Sequence, residues 1–264
     1  MKYTVILCLF ILLCGCTTGR KASLQLTRHK QIYLLLGQSN MAGRGKITDE
    51  YKDLQYDRVL MLTKELDWVP AKHPLHFDKP KAAGVGPGLS FGESLAEAYP
   101  QDTIYLVPCA VGGTSIAKWA PGAYDKVTRT HPYDDALLRI KAAMKTGAIT
   151  GAIWLQGEAD SNPSNAAVYL DKLAELIARL RKETNNSNLP FVAGELGRYR
   201  ANYKLINDEL VKLPAKVPFT ALVTSQGFVH KGDSTHFDSP SATEYGRRFG
   251  TGMIKLIKKV ASRL

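Results

Sequence analysis

Five short apolar runs recur along the chain, at 32–36, 104–108, 151–155, 191–194 and 219–223. Each is bounded by turn-forming residues and lies too far from the next to close a hairpin. Longer amphipathic stretches fill most of the intervals, at 89–98, 134–146, 166–183, 199–213 and 242–262. In the third of these, Leu170, Leu173, Ile177 and Leu180 recur at helical spacing, as a helix covering a sheet requires. Strands that alternate with helices pair in parallel through right-handed crossovers, and the helices cover both faces. The expected fold class is therefore α/β, a three-layer α/β/α sandwich around a parallel sheet of about five strands, flavodoxin-like. Residues 45–84 read as a long insertion after the first strand.

Open parallel sheets bind ligands beyond the carboxyl ends of their strands. That rule sorts the polar residues by position. Ser39 follows the first strand, Gly112, Gly113, Thr114 and Ser115 follow the second, Gln156, Gly157, Glu158 and Asp160 the third, and Asp233 and His236 the last. Four motifs from distant parts of the sequence are thus expected on one rim of one domain, residues 31–264.

The residue types on that rim suit nucleophilic chemistry. A serine hydroxyl needs a base within hydrogen-bond reach as it attacks. Of the six histidines, only His236 has an acid, Asp233, at a spacing that lets one turn hold both. His230 has glycine at that offset and is the weaker candidate, while His29, His73, His76 and His131 are expected at the surface or against substrate. Acyl transfer also needs donors aimed at the developing oxyanion. The backbone N–H of Ser39, one from Gly113 in preference to Gly112, and the side-chain amide of Gln156 are the expected set. Gln38, Asn40, Arg44 and Glu158 flank these groups and are expected to support the site or to touch substrate. Glu158 is read as an ion-pair partner of Arg44, or else as a second acid for His236. Asp160 is read as a loop acid, and Trp119 and Tyr124 either as a sugar-stacking wall or as core.

The remaining sequence bounds the setting. Lys2 precedes an apolar run at 5–13, too short to span a bilayer comfortably, which reads as an export signal over 1–15. The run ends Leu13, Cys14, Gly15, Cys16, which resembles a bacterial lipoprotein cleavage box. Cys16 would then carry lipid, 16–30 would form the lipidated terminus and tether, and the domain would sit on a membrane facing the periplasm or cell surface. Ordinary cleavage further on, releasing a soluble protein, is the alternative. Cys8, Cys14 and Cys16 fall in the export segment, so Cys109 is the only thiol left in the domain. No intrachain disulfide, cysteine zinc site or cofactor is expected. A net charge of +11 invites a nucleic-acid reading, yet the positive residues are dispersed except on the last helix. A solvated helix face explains those, and no nucleic-acid partner is expected.

The segments GQSNMAGRG (37–45), CAVGGTSIAKW (109–119), IWLQGEAD (153–160) and DSTHFD (233–238) resemble the SGNH hydrolases. Within them they are similar to the sialate O-acetylesterase-like and acetylxylan esterase group, carbohydrate esterase family six. The resemblance spans nearly the whole mature chain. It implies a Ser39 nucleophile, a His236 base supported by Asp233, and an oxyanion glutamine at Gln156. The implied reaction is metal-free hydrolysis of acetyl esters on a carbohydrate through an acetyl-serine. One departure is Ser234 with Thr235, where many relatives carry a glycine after the acid. The other readings are an SGNH hydrolase for a lipid, thioester or peptidoglycan ester, and a membrane-tethered carbohydrate-binding protein with a vestigial site.

Overall fold

The structure is a computed structural model that describes residues 29–262. Its sheet has seven strands, β1 (Lys30–Gly37), β2 (Val59–Leu62), β3 (Trp68–Pro70), β4 (Thr103–Pro108), β5 (Ile149–Leu155), β6 (Phe191–Gly194) and β7 (Thr220–Val223). They run in the order β3-β2-β4-β1-β5-β6-β7. All neighbours are parallel except β2 and β3. The helices are α1 (Ser39–Ala42), α2 (Asp49–Lys52), α3 (Gly88–Ala98), α4 (Pro132–Met144), α5 (Pro163–Glu183), α6 (Tyr203–Leu210), α7 (Leu213–Lys216) and α8 (Ser239–Ala261).

Strand β1 shows why three layers form. Successive side chains of a strand point to opposite faces. Ile32, Leu34 and Leu36 enter one core, Tyr33 and Leu35 the other, and all five are fully buried. The first core is closed by α4, α5, α6 and α7, through residues such as Ile140, Tyr169, Leu173, Ile206 and Leu213. The second is closed by α3 and α8, through Leu89, Phe91, Leu95, Tyr245, Phe249 and Met253. Where α3 and α8 meet, Gly246 and Gly250 face Ser90 and Ser94, and Ser90 Oγ donates to the Thr243 carbonyl at 2.7 Å.

All five expected strands are present, and their order, second-first-third-fourth-fifth, is the flavodoxin one. The sheet is wider than expected because residues 45–84 supply β2 and β3. Neither run is long enough to show a period of its own. The expected helix at 199–213 is a second correction. Residues 199–202 are turns, and two shorter helices follow, the second with Pro214 in its first turn. Helices α5 and α8 begin three residues earlier than their apolar periodicity suggests. Asn162 Oδ1 caps the Asn165 N–H and Asp238 Oδ1 caps the Ser241 N–H. The expected export signal, Cys16 and nearly all of the tether lie outside the described residues. None of the described helices is long and apolar enough to cross a membrane.

The end of β1 is set by one glycine. Gly37 has φ 135°, and a methyl group there would run into the Leu155 carbonyl of the neighbouring strand. Gly37→Ala is expected to destabilise the fold by at least about 1–3 kcal/mol, the usual scale of such backbone strain. A urea unfolding midpoint equal to that of the wild type would contradict this account.

Candidate active site

Ser39 is the first residue of α1, directly after β1 and its turn at Gln38. In a sheet of this order the chain builds outward from β1 to β2 and β4 on one side and to β5, β6 and β7 on the other, so the crevice opens at the carboxyl end of β1. His236 arrives from the long connection between β7 and α8. The Ser39 Oγ hydroxyl donates to His236 Nε2 at 3.0 Å, and His236 Nδ1 donates to Asp233 Oδ2 at 2.7 Å. Ser39 is almost fully buried, whereas the Asp233 side chain is 37% exposed.

Asp233 and His236 share one turn. Asp233 Oδ1 accepts the N–H groups of Thr235 and His236, at 3.0 and 2.8 Å, which leaves Oδ2 for the imidazole. Burial alone would raise the Asp233 carboxyl, but these donors and the imidazole hold it well below the usual carboxylate range. Burial lowers the His236 imidazole below its ordinary value, against the opposing pull of Asp233. The ring is therefore neutral at neutral pH and able to take a proton. Ser234 has φ 55°. The turn needs a left-handed residue there, and serine adopts it.

Asn40 fixes this turn against Ser39. Its Oδ1 accepts the Phe237 N–H at 3.1 Å and its Nδ2 donates to the Thr235 carbonyl at 3.0 Å, one residue on either side of His236. Nδ2 also donates to Glu158 Oε1. Glu158 therefore pairs with Asn40, not with Arg44 as one sequence reading holds. Arg44 pairs instead with Asp78, Nη2 to Oδ2 at 2.6 Å, with both side chains buried. The same Asp78 oxygen accepts the Gly112 N–H at 2.8 Å. Burial would raise the Asp78 carboxyl, but Arg44 and the Gly112 N–H hold it below its ordinary value. Asp78 thus joins the first motif to the second. Its place in the insertion carries no motif, and the only sequence signal for it is that a buried Arg44 needs an acid.

The donors expected for an oxyanion separate on the same geometry. Gly112 has given its N–H to Asp78. Gly113, with φ 88°, is exposed, and its N–H has no acceptor among the described residues. The Ser39 N–H opens a helical turn and likewise lacks a partner there. Gln156 is different. It is fully buried, and its Nε2 faces Gln38 Oε1 and the Thr114 carbonyl, both at 3.1 Å, together with Asp160 Oδ2. Two N–H bonds facing three acceptors leave none for a substrate. The third donor expected from sequence is, in this geometry, a strut tying Gln38 to the loop after β4.

Several other expectations are settled. Asp160 is buried and accepts the Ile116 N–H at 2.9 Å as well as Gln156, so it is a loop acid. Trp119 packs against Trp154 in the core, with ring centroids 5.2 Å apart, while Tyr124 is exposed beside His131. His73 and His76 are buried, not at the surface, and burial pushes both down to about 4. Cys109 is a small buried residue whose thiol burial pushes up to about 11. Arg200 was not singled out by sequence. It donates to the Ser234 carbonyl at 2.9 Å and to Thr235 Oγ1 at 3.0 Å.

Glu158 generates a pH prediction. Its Oε2 is shielded from solvent without a partner among the described residues, and burial pushes the carboxyl up to about 7 from an ordinary 4.5. The unfolded chain therefore releases this proton before the folded one does, so the group makes stability fall as pH rises from about 4.5 to about 7. Glu158→Gln keeps an oxygen for Asn40 and removes the charge. Its urea midpoint is expected to decline less over that interval than the wild type does. Parallel curves would contradict the assignment.

Known proteins share this arrangement of strands and connections. Residues 29–255 match the family described as carbohydrate esterase, sialic acid-specific acetylesterase. A "probable carbohydrate esterase" of Arabidopsis thaliana is 29% identical over 235 residues, which span 82% of this chain and 87% of that protein. Its X-ray structure aligns with a TM-score of 0.76 at 28% identity, covering 85% of this chain and 98% of that one. NanS has the same fold at 18% identity, with a TM-score of 0.70 over 88% of this chain and 98% of NanS. So does a carbohydrate acetylesterase from Xanthomonas citri, at 18% identity and a TM-score of 0.66, over 87% of this chain and 56% of that one. The chain belongs to the sialic acid-specific acetylesterase family of carbohydrate esterases.

Proposed function

We propose that the protein removes acetyl groups from the hydroxyls of a glycan through a Ser39–His236–Asp233 triad. The observation that carries this is the unbroken relay from Ser39 Oγ to His236 at 3.0 Å and on to Asp233 at 2.7 Å. As Oγ attacks the acetyl carbonyl, His236 Nε2 takes its proton, and Asp233 stabilises the imidazolium that forms. The carbonyl oxygen becomes negative against the N–H groups of Ser39 and Gly113. Collapse of this intermediate expels the sugar oxygen, which receives the proton from His236, and leaves acetyl-Ser39. A water that gives its proton to His236 then attacks the acetyl group, and acetate leaves as the proton returns to Ser39. Arg44 and Glu158 act through Asp78 and Asn40, and Gln38 acts through Gln156.

The test is acetate release from a panel of acetylated glycans, including acetylated sialic acid and acetylated xylan, with a small acetyl ester as reference. Ser39→Ala is expected to lower kcat/KM by about 10⁴-fold or more, as loss of a serine nucleophile does elsewhere. His236 must be neutral to act, and its pKa is lowered, so the acid limb of kcat/KM is expected below pH 6.5. Unchanged turnover in Ser39→Ala would overturn the mechanism.

The setting we propose is a lipid-anchored exported protein, supported by the Leu13 to Cys16 run. Several acyl chains on Cys16, at about 0.8 kcal/mol per buried methylene, would hold the domain on a membrane. Radiolabelled lipid is expected in the full-length protein and absent from Cys16→Ala. No label in either would exclude the anchor.

A further inference from the structure

The turn that carries Asp233 and His236 is filled by a second histidine that takes no part in the proton transfers. Residues 230 and 237 form an antiparallel bridge, the Lys231 N–H donates to the His236 carbonyl at 2.9 Å, and the Asp238 N–H donates to the Val229 carbonyl at 3.1 Å. Inside the loop so closed, four N–H groups find acceptors on the loop's own side chains. Those of Thr235 and His236 go to Asp233 Oδ1. The other two, from Gly232 and Ser234, converge on a single atom, His230 Nδ1, at 3.0 and 3.1 Å. Gly232 and Ser234 flank Asp233 directly. Both have positive φ, 111° and 55°, which glycine adopts freely and serine does not, so Ser234 is the one held there by its partners. The ring of Tyr199 stands edge-on to His230 with centroids 5.0 Å apart at 70°, which sets the plane of the imidazole.

An atom that accepts two N–H groups must present a lone pair, so Nδ1 is unprotonated and the ring proton sits on Nε2. We propose that His230 is a positioning residue for ester hydrolysis, its Nδ1 gathering the N–H groups on either side of Asp233 so that the carboxylate is presented to His236. This rests on the esterase reading above and extends it to a residue outside the triad. The ionisable groups around the His230 ring are Tyr199 across its edge, Lys231 next in the chain, and Lys46, Glu50, Tyr51 and Asp238 along the hollow beside it. His236 itself is faced by Asp233, Lys231 and Arg44.

Three substitutions separate the acceptor from the shape of the ring. Asparagine puts its Oδ1 the same number of bonds from the backbone as Nδ1. Leucine has the outline of asparagine with no acceptor, and glutamine moves the acceptor one bond further out. The experiment measures kcat, KM and the pH profile on a small acetyl ester for wild type, His230→Asn, His230→Leu and His230→Gln. Proton NMR of each follows the downfield signal of the His236 Nδ1 proton shared with Asp233. His230→Asn is expected to stay within about threefold of wild type. His230→Leu and His230→Gln are expected to lose about 10²-fold in kcat with little change in KM, the usual penalty for a displaced reacting group. Asp233 raises the His236 pKa, so a misplaced Asp233 also moves their acid limb to lower pH. The downfield signal is expected in the asparagine protein and not in the other two. If leucine and glutamine behave like asparagine, or asparagine is as impaired as leucine, the proposal is overturned. Should the leucine protein fail to fold, the glutamine protein decides. A wild type without Ser39-dependent acetate release would sink the esterase reading alone, while the NMR comparison would still decide the role of His230.

Discussion

Everything the site can do depends on one side-chain amide. Ser39 and His236 are 197 residues apart, and they belong to different parts of the fold, a central strand and a surface connection. Connections of this kind are the mobile part of most proteins. Asn40 grips the main chain at Thr235 and Phe237, so the residue beside Ser39 dictates where His236 lies. Each bond contributes only about 1 kcal/mol to stability. Their value is positional, because a hydroxyl and an imidazole must meet within a few tenths of an ångström. The cap that Asp238 places on α8 fixes the far end of the same connection to a long buried helix.

Beneath this contact the rim is knitted by buried polar groups whose burial is costly. Arg44 with Asp78, Gln38 with Gln156 and Asp160, and the half-paired Glu158 carboxyl all give up water. A buried ion pair is weak evidence for stability, since desolvation offsets much of its attraction. What such pairs supply here is register. Arg44 and Asp78 tie the loop after β1 to the loop after β4, and Gln38 with Gln156 ties β1 to β5. Loops from three adjacent strands are thereby held at fixed heights around Ser39. Gly113 is left projecting because its neighbour Gly112 has been fastened down.

The parts legible from sequence are those where one local rule decides. Apolar runs on a doubly covered sheet have no choice but to be buried, so the five central strands and the helices over them could be read. Ser39, Asp233 and His236 could be read because acid and base lie within one turn and the nucleophile ends a strand. Residues whose role depends on a distant partner could not. The sequence offers Glu158 as a partner for Arg44, and nothing in it marks Asp78. Gln156 carries the right group for an oxyanion, but the three acceptors that consume it come from Gln38, Thr114 and Asp160. Strands β2 and β3, of four and three residues, hold their places by pairing with β4 and with each other, not by any pattern of their own. The region 199–202 looks helical by composition, yet Tyr199 is drawn away to pack on His230 and Phe237.

Asp233 and His236 lie among the six residues enclosed by the bridge between residues 230 and 237, with only two residues between them. They cannot drift apart without unmaking that bridge, so they travel as one rigid cartridge. In a triad drawn from three separate loops, three pairwise alignments must be kept at once. Here the problem reduces to a single hinge, the seating of the cartridge against α1. The surrounding segments, above all the one that supplies β2 and β3, can therefore be remodelled around different sugars without realigning acid to base.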